Sequence, residues 1–292
     1  MRKVLVLGAS GLLGTRVSQA FLESNFEVFA TVHSKKVNSE FVPVKALLSD
    51  YDDVKNLLAQ EFDVIVNCAG LTNVDTCELR PEAAWQLNAT LPFWLAKHSL
   101  SSGARFIHIS TDHFRSELNI PRTEETLIMP VNTYGYSKLG GEGFVLNFNP
   151  KASVLRTNFF GTTASGDHSL LDYLIDKFRH KQSLTGFADV IFSPIGVTEL
   201  ARRILEISSI ELSGLVNAAG PESITKYDFA LAVADKLGVP KALISSGMAA
   251  NANLKSHRPT YLVLDSSKLS KSVRERDISL DGMLTEELAH II

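Results

Sequence analysis

Several things that would classify a chain quickly are scarce here. Cysteine is one: there are two in 292 residues, Cys68 and Cys77. That excludes a disulfide scaffold. Neither cysteine stands at metal-ligand or redox spacing, and such usage fits a reducing compartment. An excess of either charge is also missing. Lys and Arg total 29 against 32 Asp and Glu, for a formal net charge of −3. Without a basic block there is no electrostatic footprint for nucleic acid. Long hydrophobic runs are absent too. The longest apolar run near the start is Val4–Leu7, too short for a signal peptide. No run approaches the roughly 18 apolar residues that cross a bilayer. The expectation is a cytoplasmic protein with no membrane and no nucleic-acid partner. Internal repeats and low-complexity linkers are lacking as well.

What is present is alternation. Short apolar runs read as strands at Lys3–Leu7, Phe26–Val32, Phe41–Ala46, Phe62–Val66, Arg105–Ser110, Ala152–Thr157 and Ser213–Ala218. Helical spacing falls between them at Leu12–Ser24, Asp50–Glu61, Gly135–Asn147, Ser169–His180, Val197–Ser208 and Thr225–Leu237. A long helix from Pro81 to about Ser101 contains Pro92, which predicts a break or kink near Leu91. The segment 239–272 has no clean period. Continuous apolar strands separated by helices predict an α/β fold, a Rossmann-type doubly wound parallel sheet covered on both faces. The expected organisation is a nucleotide-binding domain over 1–160, joined by parts of 190–220. A smaller, interleaved substrate-binding lobe is expected over 161–292.

The run Gly8-Ala9-Ser10-Gly11-Leu12-Leu13-Gly14 follows the first strand and opens the first helix. That context gives a glycine motif meaning. The first glycine allows a tight turn, the second lets a pyrophosphate approach the backbone, and the third lets helix and strand pack closely. Unpaired N–H groups at the helix start then face the phosphates. The spacing is GxxGxxG rather than GxGxxG. An acid after the second strand would bind a ribose 2′-hydroxyl and repel a 2′-phosphate. None occurs from Val28 to Ser39, whereas His33, Lys35 and Lys36 do. NADP(H) is therefore favoured over NAD(H).

Tyr134 and Lys138 stand four residues apart, on one face if the segment is helical. A neighbouring ammonium favours the phenolate and makes the phenol a better proton donor near neutrality. Ser110-Thr111-Asp112 closes the strand Arg105–Ser110, and ligands of open α/β sheets sit at strand carboxyl ends. A Thr111 hydroxyl there can hold a reacting oxygen, while Asp112 suits a structural or loop-orienting role.

Together these residues resemble the extended short-chain dehydrogenase/reductase family, and more closely the dTDP-4-dehydrorhamnose reductases. The likeness runs through GASGLLG at 8–14, NCAGLTNVDTCE at 67–78, WQLNA at 85–89, HISTD at 108–112, PVNTYGYSKLGGE at 130–142 and LRTNFFG at 155–161. Weaker echoes continue to the RP…LDSSKL run at 258–269. The resemblance implies reduction of a 4-keto sugar carried on a nucleotide diphosphate. Tyr134 would be the proton donor, Lys138 would bind the nicotinamide ribose, and Thr111 would hold the substrate oxygen. Gly8, Ser10, Gly11, Leu12, Leu13 and Gly14 would carry the cofactor diphosphate, Asp50 and Tyr51 the adenine. Cys68, Ala69 and Gly70 would form a backbone shelf. Asp112, Asn158, Phe159 and Arg258 would border the substrate. Asn88 matches a family asparagine, with packing and cofactor-site support weighed equally.

Departures from the pattern bear on the sugar. His113-Phe114-Arg115-Ser116 replaces the family's YVFDG, Phe159 replaces a tryptophan, and Val190-Ile191 replaces a polar pair. Fewer polar groups at that edge weaken readout of sugar hydroxyls. Two other functions compete: a non-catalytic regulatory subunit like the β subunit of methionine adenosyltransferase, and a nucleotide-sugar epimerase or dehydratase. Eight histidines show no metal-ligand spacing. His108 reads as packed within its strand, and His168 and His257 fall in the substrate half. Asp75 and Glu78 read as structural. Trp85, Phe93 and Trp94 read as core or as an interface, for which a homodimer is the natural candidate.

Overall fold

The computed structural model describes residues 1–32, 38–117, 119–163, 169–252 and 254–291. The first half runs β1 (Lys3–Leu7), α1 (Leu12–Glu23), β2 (Glu27–Val32), β3 (Val42–Lys45), α2 (Tyr51–Leu57), β4 (Val64–Asn67), α3 (Val74–Leu79) and α4 (Pro81–Trp85). A π-helical turn (Gln86–Thr90) leads into α5 (Leu91–Ser102), β5 (Arg105–Ile109), α6 (Thr133–Phe148) and β6 (Ser153–Thr157). Next come β7 (Phe159–Phe160), α7 (Leu170–Arg179), β8 (Leu184–Phe187), β9 (Ile191–Phe192), β10 (Ile195–Gly196), α8 (Val197–Ile207) and β11 (Gly214–Ala218). The chain ends with β12 (Ile224–Thr225), α9 (Lys226–Lys236), β13 (Ile244–Gly247), β14 (Tyr261–Leu262), α10 (Ser267–Ser272) and α11 (Leu280–Leu288).

The expected doubly wound sheet is present. Seven strands lie in the order β11-β6-β5-β4-β1-β2-β3, and the pairings from β6 to β3 are parallel. Order reverses between β1 and β4, the switch point at whose strand ends ligands of such sheets bind. The inner strands β1, β2 and β4 are largely apolar runs because they are buried on both faces, whereas the edge strand β3 is mostly exposed. Leu5, Leu7, Ile65, Phe106 and Val154 pack with Leu57, Leu91, Leu95 and Val145 in one core.

By contacts the chain forms two compact units. One comprises Met1–Thr111, Asn132–Arg156 and Ala201–Val216; the other comprises Asp112–Val131, Thr157–Leu200 and Asn217–Ile292. The chain leaves the first unit at Thr111 and re-enters it at Asn132, so the segment 112–131 belongs with the second.

Local chemistry explains most helix ends. Asp50 caps α2 by accepting from the Asp53 N–H. Ser169 and Asp172 form a reciprocal capping box on α7, and Thr225 caps α9. Gly103 closes α5 at φ 77°, a conformation that suits glycine. One expectation needs correction. The 81–101 segment is not one α-helix: the ladder widens to a π turn at Gln86–Thr90, just ahead of Pro92, which takes a place in the first turn of α5. Of the two readings of Trp85, core or interface, its 42% exposure removes the first. The helix α3 was not expected at all.

Candidate active site

In the first unit the site grows from the glycine turn. Gly8 has φ +74°, and its N–H donates to Thr31 Oγ1 at 2.9 Å. A Cβ on Gly14 would lie 2.2 Å from the Gly8 carbonyl oxygen, and one on Gly8 would lie 2.8 Å from the Ala69 nitrogen. The turn is thus pressed between α1 and the segment after β4, and side chains at these positions would fill it. Gly11 takes the N-cap position of α1 with no side-chain cap, and an uncapped helix start is a place where backbone N–H groups can meet an anion. Ser10 and Leu12 are half-buried. Leu13 is core at 4% exposure, so only its backbone is available to a ligand.

The segment after β4 runs over Cys68, Ala69 and Gly70. Asn88, delivered by the π turn, accepts from the Leu71 N–H and donates to the Leu71 carbonyl, both at 2.9 Å, and donates to Ser137 Oγ at 3.0 Å. A Cβ on Gly70 would strike Asn88 Oδ1 at 2.8 Å and come within 4.0 Å of Lys138 Nζ. Packing and support of this segment are therefore one role for Asn88. Burial pushes the Cys68 thiol up to about 12, with the Lys138 charge opposing. Cys68 therefore carries no thiolate at neutral pH. Asp50 and Tyr51 are exposed at the start of α2, and the Tyr51 ring meets Trp94 edge-on at 5.3 Å. A cavity of about 480 Å³ lies nearby, lined by Ser49, Leu71, Arg80, Gln86 and Leu87 among others. His33, Lys35 and Lys36 lie outside the described residues.

Tyr134 and Lys138 both fall on α6, one turn apart. Asn132 caps this helix by accepting from the Gly135 N–H. Glu78 holds its first residue, accepting from the Thr133 N–H at 2.7 Å and from Thr133 Oγ1 at 2.8 Å. Tyr134 is half-buried. Lys138 is 4% exposed and donates to the Ile109 carbonyl at 2.6 Å. Burial pulls its ammonium down to about 8, against the raising effect of Glu142 and, more weakly, Cys68 and Cys77. Thr111, also 4% exposed, stands two residues beyond Ile109 at the carboxyl end of β5. His108 Nδ1 lies 3.1 Å from Asn67 Nδ2, and burial first, then the Lys138 charge, hold the ring well below its ordinary range. His108 is accordingly neutral and packed, as its strand position predicts.

The second unit gathers the remaining candidates around Asp112. Its carboxylate accepts from Asn158 Nδ2 at 2.6 Å, and its backbone carbonyl accepts from Arg122 Nη2 at 2.8 Å. Burial raises the Asp112 carboxyl to about 6, while the Asn158 hydrogen bond and the Arg122 and Lys226 charges oppose it. Lys226 Nζ sits 3.3 Å from the centre of the Phe192 ring, and burial lowers it to about 8 against the pull of Asp112. His113 falls to about 4 through burial, then through the charges of Arg258, Arg122, Lys226 and His257. Phe159 opens the two-residue strand β7, paired with β10, and Arg258 is half-buried. Among the described residues no cluster of three or more His, Cys, Asp or Glu side chains could hold a metal ion. No helix among them is long and apolar enough to cross a membrane.

The family model for the RmlD substrate binding domain matches residues 1–288. The chain belongs to this family. The relatives within reach carry different names. One is the "Probable low-salt glycan biosynthesis reductase Agl14" of Haloferax volcanii, 31% identical over 90% of both chains. Another is "Methionine adenosyltransferase 2 subunit beta" of Rattus norvegicus, 33% identical over 92% of this chain and 81% of that one. A dTDP-4-dehydrorhamnose reductase from Bacillus anthracis, solved in complex with NADP, superposes with a TM-score of 0.88 at 21% identity, covering 99% of this chain and 100% of that one. At that identity the likeness is one of fold.

Sequence reasoning passed over four charged residues of this RmlD-family chain. Glu142 and Arg156 form a buried ion pair, with Arg156 Nη2 2.7 Å from Glu142 Oε2. Arg122 and Lys226 stand beside Asp112. Two signals could have found the pair. Glu142 is four residues beyond Lys138, on the same helix face, and Arg156 is a charge inside an otherwise buried strand, which demands a partner. Nothing local marks Arg122 or Lys226, because their partners are distant in sequence.

Proposed function

We propose that the chain is an NADPH-dependent reductase of a nucleotide-activated 4-keto-6-deoxy sugar. The observation that carries this reading is the setting of Lys138: buried, one turn after Tyr134, and bonded to the Ile109 carbonyl two residues before Thr111. A phenol, an ammonium and a hydroxyl are the groups that carbonyl reduction asks for. Tyr134 gives its proton to the carbonyl oxygen as negative charge develops there. Lys138 favours that charge transfer by stabilising the phenol oxygen. Thr111 holds the same oxygen in line.

The glycine turn fits a dinucleotide, since side chains at Gly8 and Gly14 would fill it and no side chain caps α1. Gly8, Ser10, Gly11, Leu12, Gly14 and the Leu13 backbone would hold the diphosphate. Asp50 and Tyr51 would meet the adenine, and Lys138 the nicotinamide ribose, with Cys68–Gly70 as the shelf. When bound, NADPH supplies the hydride. The preference for NADPH rests on the missing acid after β2 and on His33, Lys35 and Lys36. In the second unit Asp112, Asn158, Phe159 and Arg258 would face the substrate.

Names among the relatives support an oxidoreductase. The test is direct: purified protein, NADPH and a dTDP-4-keto-6-deoxy sugar, followed at 340 nm. Oxidation of the cofactor is expected, and none at any substrate concentration would remove the reading. The 33% identity to a methionine adenosyltransferase β subunit favours a second reading, a regulatory subunit. A stoichiometric larger enzyme recovered with the tagged chain from its native cells, together with absent turnover, would establish it.

A further inference from the structure

Among the buried charges of the first unit, the contacts of Glu142 with Arg156 and Ser110 are ones that the proposed reduction does not use. Glu142 is 2% exposed and Arg156 5%. Glu142 Oε1 accepts from Ser110 Oγ at 2.5 Å and from Arg156 Nε at 3.0 Å, while Oε2 accepts from Arg156 Nη2 at 2.7 Å. One turn earlier on α6, Lys138 donates to the Ile109 carbonyl. Two residues a turn apart on one helix thus grip two consecutive residues at the end of β5. The next residue along that strand end is Thr111, and Tyr134 lies one further turn back on the same helix face.

Stability does not account for this arrangement. A buried ion pair is costly to desolvate, and well-packed apolar residues of similar volume often serve as well or better. What such a pair does supply is fixed geometry and a fixed charge. Lys138 faces Glu142 from its own helix, Cys68 from the segment after β4, Cys77 from α3 and His108 from β5. Burial holds both thiols protonated, Cys68 at about 12 and Cys77 at about 11, and His108 is neutral. Among these groups Glu142 is the one carboxylate, and it is paired with Arg156.

We propose that Glu142, braced by Arg156 and Ser110, is a positioning residue that sets the register of Tyr134 and Lys138 against Thr111 and places a carboxylate one turn from the Lys138 ammonium. The roles of Tyr134, Lys138 and Thr111 rest on the reductase reading. The placement of Glu142 does not.

Two variants separate the two halves of the proposal. Glu142→Gln keeps an acceptor for Ser110 but removes the charge. It should move the alkaline limb of kcat/KM to lower pH by about one unit. Ser110→Ala keeps the ion pair but removes one grip. It should leave that limb in place and lower kcat about tenfold, with KM changed less than about threefold, since the loss falls on geometry rather than binding. A merely structural role would lower the melting temperature and move neither quantity. The Lys138 amine is also titrated directly by NMR of 15N-lysine protein, assigned with Lys138→Met. Its titration should fall in Glu142→Gln and match the wild type in Ser110→Ala. If Glu142→Gln does not fold, Arg156→Met takes its place: it strips the opposing cation from Glu142, so the Lys138 titration should rise, and an unchanged value overturns the electrostatic half. An unchanged amine titration on loss of the Glu142 charge overturns the electrostatic half, and wild-type kcat in Ser110→Ala overturns the register half. If the wild type does not turn over the sugar, the reductase reading falls, and the amine titration alone decides the role of Glu142.

Discussion

Asp112 shows how one buried group can report on its surroundings. Its carboxyl is raised from 3.8 to about 6, chiefly by burial. Between those two pH values the folded chain keeps a proton that the unfolded chain has lost. Stability therefore falls as pH rises through that window, and the loss is complete above it. Asp112→Asn does not titrate, yet its amide oxygen can still accept from Asn158. The melting temperature of the variant relative to wild type should rise from pH 4 to pH 7, and a flat difference would show that Asp112 ionises as an ordinary carboxylate. Tyr134 makes a different prediction. Tyr134→Phe removes the proposed proton donor and should cost about 10²- to 10⁴-fold in kcat, while NADPH still raises the melting temperature. Full turnover by this variant would end the acid role. At this scale the sequence told much about Tyr134, Lys138 and Thr111, because the motifs name them. It told little about Glu142 and Arg122, whose meaning depends on Ser110, Arg156 and Asp112, which folding brings close.

Elements were legible where local chemistry decides them. The caps at Asp50, Ser169 and Thr225 and the closing glycine at 103 are one-residue statements about unpaired backbone groups. The strands of the main sheet were legible because burial on both faces leaves runs such as KVLVL. The six-residue helix α3 carries too little periodicity to read. The two-residue strands β7, β9, β10, β12 and β14 exist only through pairing with distant partners. Pro92 signalled a fault correctly, but the chain answers it with a π turn rather than a break. That turn delivers Asn88 to the segment after β4. The turn between β1 and α1 makes the firmest element-scale prediction. In Gly14→Ala the new Cβ would meet Gly8 O at 2.2 Å, Gly8 C at 2.7 Å and Ala9 Cα at 2.8 Å, all backbone. Helix α1 must move away from β1, at a cost of about 1–3 kcal/mol for overpacking. Urea unfolding should show that loss, and NADPH should no longer raise the melting temperature. Wild-type stability with intact NADPH stabilisation would mean that the turn is looser than its contacts imply.

For the whole molecule, a net charge of −3 gives no long-range attraction for a phosphorylated ligand. The proposed reading therefore assigns recognition to local groups: the uncapped start of α1 in one unit, and in the other the basic residues whose charges add to burial in depressing His113. This bears on cofactor choice. Helix N–H groups bind the diphosphate of NADH and NADPH alike, so they cannot discriminate between them. Discrimination falls to whatever meets the ribose 2′ position, where the sequence offers His33, Lys35 and Lys36 and no acid. Binding to the folded state alone raises stability by about 2.7 kcal/mol at a ligand concentration a hundred times Kd. A thermal-shift comparison at equal concentrations therefore ranks affinities without any substrate. NADPH should give the larger shift, and Lys35→Ala/Lys36→Ala should shrink it toward the NADH value while leaving NADH unaffected. A larger shift with NADH would reverse the cofactor assignment. Equal shifts that the double variant does not alter would mean that these lysines are solvated bystanders, leaving the missing acid to relieve repulsion without adding attraction.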